Sequence, residues 1–457
     1  MKNSNIVVLK FGGTSMGTAD SIKSCASIII DKIKKGKKPF VVVSALSKMT
    51  DNLLKLLNLA RSGKNKELGE FFIENINRHY DILNELIVNE KLCELYTNIL
   101  GERFKSLARI FDGISLVQDY SEKMQANVLS YGEELSSLIL EAYLLQNDIN
   151  CKQISSSKLI KVNGDYLSGD VDFKKTKTCF NKIKKEVENG TTFVMTGFFG
   201  SNSENEITLL GRGGSDFSAS VAGISLEANS VEIWTDVDGV MSADPRIVKK
   251  AKSWEKINKD VASEMARAGA KVLHPKTILA AYYDIDLIIK NTFNQSFKGT
   301  LVNNETCGNG VKGIASDDNY SILHLENEDM FGNTGFVAEI GLIASEHNIP
   351  LDMTTTSETS VSFTIKSNLL NDNVKKVFDS IANFKVIENT TKISIIGENI
   401  ASNNILELIF KSLKKENIEP LMVSMGQSKN NIGIVINTEN KEKALTTLHK
   451  ALVEDKY

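Results

Sequence analysis

Short, dominantly apolar runs punctuate the first two thirds of the chain: Ile6-Val7-Val8-Leu9, Phe40-Val41-Val42-Val43, Thr192-Phe193-Val194-Met195, Val231-Glu232-Ile233-Trp234 and Leu287-Ile288-Ile289. They lack strict alternation, as expected of strands covered on both faces. Between the first two, Ile22, Cys25, Ala26, Ile29, Ile30 and Ile33 recur at helical spacing behind the cap candidates Thr18 and Asp20, completing a strand, helix, strand unit. The pattern predicts an α/β fold with a mainly parallel sheet covered by helices. Residues 52 to 147 read as mostly helical and rich in charge, a helical excursion from that sheet.

The last third has a different rhythm. A strand at Tyr320 to Leu325, a helix at Phe336 to His347, strands near Leu351 to Thr355 and Val361 to Ile365, and a helix around Val374 to Ile381 give the order βαββα. The order recurs with Lys392 to Ile396, a helix carrying Ile405, Leu406, Ile409, Phe410 and Leu413, strands Leu421 to Ser424 and Ile432 to Ile436, and a helix from Lys441 to Val453. This is an internal repeat of roughly seventy residues with ferredoxin-like order. No strand follows the last helix, so one sheet edge lacks its partner unless Val311 to Ala315 returns to fill it. The expected domains are 1–300, 316–388 and 389–457, the last completed by a strand from about 305–315.

Composition narrows the function classes. The 54 basic and 57 acidic residues nearly balance, and no dense Lys/Arg block carries interleaved aromatics, so nucleic acid is not an expected partner. Five widely spaced cysteines never form a CxxC pair, which fits neither a disulfide framework nor a zinc site and points to a reducing cytoplasm. No apolar stretch approaches the eighteen or so residues that span a bilayer, and no signal peptide or anchor is expected. The five histidines, His79, His274, His324, His347 and His449, show no metal-ligand spacing with Cys or acids, so no metal-ligating residue is assigned.

Ligands gather at the carboxyl ends of parallel strands, so the loops after the apolar runs carry the chemistry. After the first strand comes Lys10-Phe11-Gly12-Gly13-Thr14-Ser15, a cation at a strand tip with glycines that let backbone N–H groups approach an anion. It is not a Walker loop, whose G-x-x-x-x-G-K-[ST] spacing is absent. After Thr208-Leu209-Leu210 comes Gly211-Arg212-Gly213-Gly214-Ser215-Asp216, then an Ala-rich helix to Leu226; a helix N-terminus beside a guanidinium and a carboxylate suits a carboxylate ligand or an oriented lysine. After Val231 to Trp234 comes Thr235-Asp236-Val237-Asp238-Gly239-Val240, then Ala243-Asp244-Pro245-Arg246, with carboxylates for Mg²⁺ or a ribose and an arginine for phosphate. Each has a bland alternative as a turn, cap or solvated face. Together, three phosphate-friendly loops imply a nucleotide and a second anionic ligand.

These loops, with Gly132-Glu133 and Gly269-Ala270-Lys271-Val272-Leu273-His274-Pro275, occur in the order found in aspartate kinases, which the chain resembles over essentially its whole length. The resemblance implies a three-layer αβα amino-acid-kinase domain followed by two ACT domains, βαββαβ modules that bind amino acids. It also implies ATP-dependent phosphorylation of L-aspartate, the first step toward lysine, threonine and methionine. Carried over by position, it makes Lys10 and Asp216 catalytic. It gives substrate to Thr50, Glu133, Phe198, Arg212 and Ser215, and ATP to Gly12, Gly13, Ser15, Thr235, Asp236, Met241, Arg246, Lys271 and Val272. Effector binding falls to Met330, Asn333, Phe336, Val337, Asp352, Ser357 and Glu358, for lysine or alternatively threonine. Gly426-Gln427-Ser428 with Asn431 resembles the partner half of that site, and a homo-oligomer formed through the ACT domains is implied. Two departures stand out: Glu134 replaces the family's Arg after the motif Glu, and Met241 its Tyr. Helical periodicity does not choose between Glu133 and Glu134.

An aspartate side chain, with a pKa of about 3.9, is already ionised at neutral pH, so its attack needs no general base. Repulsion between nucleophile and phosphates is the obstacle, which Lys10, Arg246 and Mg²⁺ would neutralise. Acetylglutamate kinase, glutamate 5-kinase and uridylate kinase are rivals of the same fold, opposed by the C-terminal repeats and the Gly-Glu pair. A dehydrogenase rests only on Gly308-Asn309-Gly310-Val311-Lys312-Gly313, which neither follows a strand nor opens a helix. A non-catalytic amino-acid sensor is the third alternative.

Overall fold

The computed structural model describes residues 4–269, 274–327, 335–401, 403–426 and 429–455. The chain forms two units, Met1–Val240 with Glu255–Lys259 and His274–Glu305, and Met241–Trp254 with Asp260–Leu273 and Thr306–Tyr457. The first unit thus does not run unbroken to residue 300, because two segments after Val240 fold with the C-terminal third. Among the described residues no helix is long and apolar enough to cross a membrane.

In chain order the first unit begins with β1 (Ile6–Phe11), α1 (Ala19–Lys34) and β2 (Lys38–Val43). Four consecutive helices follow: α2 (Met49–Arg61), α3 (Asn65–Leu86), α4 (Glu90–Val117) and α5 (Glu122–Gln146). Then come β3 (Cys151–Ile154), the short pair β4 (Val162–Asn163) and β5 (Asp170–Val171), α6 (Phe173–Glu188), β6 (Thr192–Thr196), and the hairpin β7 (Phe199–Ser201) and β8 (Ile207–Leu209). The helix α7 (Gly214–Leu226), β9 (Ser230–Thr235), β10 (Lys256–Asn258), α8 (Lys259–Arg267), α9 (Leu279–Tyr282), β11 (Asp286–Asn291) and β12 (Thr300–Asn303) complete the series, with α8 lying almost wholly in the second unit.

Eight strands form one sheet in the order β10-β12-β11-β9-β1-β2-β6-β3. Neighbours are parallel except β11 and β12. Every residue of β1 is buried, which is why its sequence carries no alternation. Val7, Leu9, Phe11, Val41 and Val43 share a core with α1 to α5. On the other face Phe40 meets Phe180 of α6, ring centroids 5.8 Å apart, giving three layers. At the start of α1, Thr18 and Ser21 form a reciprocal capping box.

The second unit contains β13 (Gly310–Glu326), α10 (Phe336–Glu346), β14 (Thr354–Thr356), β15 (Ser360–Lys366), α11 (Asp372–Asp379), β16 (Asn383–Glu398), α12 (Asn403–Lys415), β17 (Met422–Met425), β18 (Asn431–Asn437) and α13 (Lys441–His449). Its six strands run β14-β15-β13-β16-β18-β17. The expected strand Tyr320 to Leu325 is the second half of β13, whose first half pairs with the second half of β16, Val311 opposite Gly397 and Ala315 opposite Ser394. Each long strand therefore serves two ferredoxin-like halves, and the edge left open after α13 is filled by chain that precedes the first repeat. The polar stretch Asp317-Asp318-Asn319 reads as a break, but the strand continues through a bulge with Asn319 at φ +63°, and Asn389 at φ +57° lies within β16. The two aspartates pair with Lys366 and Lys441, at 2.7 and 2.5 Å.

Leu323, Leu325, Val361, Phe363 and Ile365 pack on Ile340 and Ile343 of α10 and on Val374 and Phe378 of α11. A second core joins Ile393, Ile395, Ile432 and Ile434 to Ile409, Leu413, Leu445 and Leu448, and includes Ala243 and Val248. The Ser242 hydroxyl bonds the buried His449 ring, 2.9 Å away, which helps to explain why 241–254 folds here. Phe363 is fully buried against Phe378, centroids 5.5 Å apart. Phe363→Ala should cost roughly 3–5 kcal/mol, read as an earlier denaturant transition of this unit; an unchanged midpoint contradicts the assigned packing.

Candidate functional site

β1 and β9 are parallel neighbours, with Phe11 opposite Trp234, so the loops that follow them leave the same sheet edge. Lys10 is only 7% exposed and forms an ion pair with Asp216 in the first turn of α7. The Gly12 amide donates to the Trp234 carbonyl at 3.1 Å. Ser15 is fully buried, its hydroxyl 2.7 Å from that of Thr292, so it ties two loops together.

The loop before α7 is built around a glycine that cannot be replaced. Gly213 has φ +70°, and a Cβ there would lie 2.4 Å from Cγ of His274. His274 in turn caps the turn that follows it, its Nδ1 accepting from the Lys276 amide at 3.3 Å. Burial is the main cause lowering the His274 pKa; Lys276 and Arg212 add to it and Asp216 opposes it. Arg212 is exposed, with no ion pair among the described residues, while Ser215 is buried. Phe198 holds φ +76°, rare for a bulky residue, and its amide donates to the Ser218 hydroxyl at 3.0 Å.

The helical excursion delivers the third ionisable group. Gly132 lets α5 close onto the loop after β2, for a Cβ would meet that of Ala45 at 2.8 Å. Glu133 is thereby bonded by the Ala45 amide and the Ser215 hydroxyl and lies within the electrostatic reach of the Lys10 ammonium. Burial pushes its carboxyl up to about 8, against the lowering effect of these neighbours. Its Oε2 has no hydrogen-bond partner among the described residues. Glu134 instead pairs with Arg103 at 2.7 Å, so the structure separates two residues that periodicity left equivalent. Thr50 sits half-buried in the first turn of α2.

The other expected residues are spread more widely. Thr235 ends β9, with its hydroxyl bonded to exposed Asp236 at 3.1 Å. Asp238 is engaged by the side-chain amides of Asn291 and Asn294, at 2.8 and 3.2 Å, and so serves the turn. Met241 and Arg246 lie in the second unit, where Arg246 grips Asp244, Nε to Oδ1 at 2.9 Å. Lys271, Val272, Met330 and Asn333 lie outside the described residues, as do Gln427 and Ser428 of the expected partner half. In the second unit Phe336, the first residue of α10, packs against the core, Val337 and Glu358 are exposed, Asp352 pairs with Lys392, and Ser357 bonds Ser360 within its own turn. No cluster of three His, Cys, Asp or Glu suited to a metal occurs among the described residues.

Comparison with known proteins places this geometry. The amino acid kinase family profile matches residues 5–291, and an ACT-domain profile matches 393–452. The chain belongs to the amino acid kinase family. It is 32% identical over 98% of its length to the bifunctional aspartokinase/homoserine dehydrogenase of Buchnera aphidicola, but spans only 57% of that relative. Over 99% of its length it is 29% identical to lysine-sensitive aspartokinase 3 of Escherichia coli, all of which it spans. Its fold superposes on the crystal structure of E. coli aspartokinase III in complex with aspartate and ADP (R-state) with a TM-score of 0.86, at 27% identity, covering 98% of this chain and 99% of that one.

For this amino acid kinase, sequence reasoning missed Ser136 and Arg78. The Ser136 hydroxyl donates to the Ser44 carbonyl at 2.7 Å, and Arg78 reaches two loops from α3. Neither sits in a recognisable motif. The available signal was a polar stripe, Asn75, Arg78 and His79, at i, i+3 and i+4 on an otherwise apolar helix face.

The raised Glu133 carboxyl sets a pH signature. Between its ordinary value of 4.5 and about 8 the folded state keeps a proton that the unfolded chain has lost, so this group's contribution to stability falls as pH rises through that window and levels off above it. Glu133→Gln removes the effect. The variant should gain stability relative to wild type on going from pH 5 to pH 9 in paired denaturation curves; a pH-independent difference contradicts a buried, raised carboxyl.

Proposed function

We propose that this kinase transfers the γ-phosphoryl group of ATP to the side-chain carboxylate of L-aspartate. A carboxylate oxygen attacks phosphorus, the bond to the bridging oxygen of ADP breaks, and 4-phospho-L-aspartate and ADP leave. The observation that carries this reading is the convergence of Lys10, Asp216 and Glu133 beside a helix N-terminus. The aspartokinase relatives and the aspartate- and ADP-bound neighbour support the choice of substrate within the family.

Each residue has a chemical task in this reading. Lys10 neutralises charge between the two anions, and Asp216 fixes where its ammonium points. The free oxygen of Glu133 receives the substrate's α-ammonium, while Arg212 and Ser215 take its α-carboxylate at the start of α7. Thr50 and Phe198 close round the substrate. Gly12, Gly13, Thr235 and Asp236 contact ATP from the first unit. A Mg²⁺ bound with the ATP phosphates would supply further charge neutralisation.

We assign the kinase domain to about 1–300 without the segments 241–254 and 260–273, and the ACT repeats to 316–388 and 389–457, the second completed by the first half of β13. Lysine is the favoured effector over threonine, supported by the lysine-sensitive relative. Its amine would compete with Lys392 for Asp352, and Phe336, Val337, Ser357 and Glu358 are the further residues assigned to it. A homo-oligomer formed through the ACT repeats is supported by the exposed edge strand β14, and the cytoplasm is the compartment that the cysteine pattern favours.

Aspartate-dependent ADP release tests the reading. Wild type should turn over aspartate but neither glutamate nor N-acetylglutamate, with lysine inhibiting more than threonine; Lys10→Ala should remain folded and lose on the order of a hundred- to a thousandfold in kcat. ATP binding without aspartate turnover in wild type would favour the sensor alternative, and near-normal kcat in Lys10→Ala would remove Lys10 from the mechanism.

A further inference from the structure

Arg78 occupies an unusual position for an arginine. It lies on α3, half-buried, and has no ion pair among the described residues. Its guanidinium instead donates from Nη1 to the Ser47 carbonyl at 2.7 Å and from Nη2 to the Gly17 carbonyl at 3.1 Å. Burial lowers its pKa, so the charge is held there at a cost. The two carbonyls belong to different loops. One follows β1 and carries Gly12 and Gly13; the other follows β2 and presents the Ala45 amide to Glu133.

The same contact acts where the backbone is tight. Lys48, next to Ser47, holds φ +66° and opens α2 without a side-chain cap, a conformation that persists only when its surroundings enforce it. The loops touch directly: a Cβ on Gly17 would lie 3.2 Å from that of Ser47, and one on Gly13 would lie 3.3 Å from the Ala45 carbonyl. The helix that carries Arg78 is itself pinned. The Asn52 amide on α2 donates to Asn75 at 2.7 Å, and the buried His79 ring bonds the Asn75 carbonyl at 2.7 Å.

We propose that Arg78 is a positioning residue whose planar fork locks the nucleotide-side loop Gly12–Gly17 to the substrate-side loop Ser44–Lys48, and so sets the separation of the two reacting anions. The proposal rests on the kinase reading for its catalytic consequence, not for the contact itself. A lysine cannot reproduce it, because one ammonium cannot present two parallel donors to carbonyls on separate loops. Small displacements at a reacting centre are expensive, on the order of a hundredfold in rate for about 1 Å.

Arg78→Lys and Arg78→Ala, compared with wild type in the full chain, test this. Both variants should lose kcat on the order of a hundredfold, with smaller changes in KM for ATP and aspartate, and added guanidinium should restore part of the rate to Arg78→Ala. Amide hydrogen exchange in 12–17 and 44–50 should quicken together in Arg78→Lys. A lower melting temperature with wild-type kcat in the folded fraction overturns the proposal, as does unaltered exchange in both loops. Should wild type itself fail to turn over aspartate, the kinase reading falls and the exchange experiment still decides the clamp.

Discussion

Joining two anions requires a cation that stays charged where water is scarce, and the catalytic unit is organised around that demand. Two unit charges about 4 Å apart repel by on the order of 4 kcal/mol at an effective dielectric of 20, and a γ-phosphoryl group carries more than one. Lys10 meets the demand from the tip of a central strand whose every residue is buried. Its ammonium would be costly there without a partner. Asp216 supplies the partner from the first turn of α7, and the parallel sheet brings the loops of β1 and β9 to one edge.

Glu133 shows the same economy from the opposite direction. A carboxylate closed off from water and left with one oxygen free is poorly solvated by the protein alone. It is therefore primed for a positive ligand group, which would supply the missing interaction. The four-helix excursion matters for this reason: α5 delivers Glu133 to the Ala45 loop, and α3 delivers Arg78 to the loops that follow β1 and β2. Helices inserted between β2 and β3 thus help to form the site as well as the core.

Much of the fold was legible because its signals are local and redundant. The apolar runs at Ile6 and Phe40 could only be buried strands, and the βαββα order appears twice. Strand ends were harder to read. Asp317-Asp318-Asn319 carries the polarity of a turn, yet in the folded chain lysines neutralise the aspartates and Asn319 adopts positive φ, so the strand passes through. Membership of units was not legible either, since Ala243 and Val248 look like loop residues until the core they enter is known. In the site, motif residues near strand tips were readable, whereas the role of Ser15 as a buried tie and the reach of Arg78 depend on partners far away in sequence.

The interdependence of Lys10 and Asp216 is the claim on which the mechanism turns. A double-mutant cycle of Lys10→Met and Asp216→Asn, read as aspartate-dependent kcat/KM, addresses it directly. The account predicts strong non-additivity, with the double variant little worse than the more damaged single one, because each residue acts through the other. Losses that simply multiply would show two independent groups and contradict it.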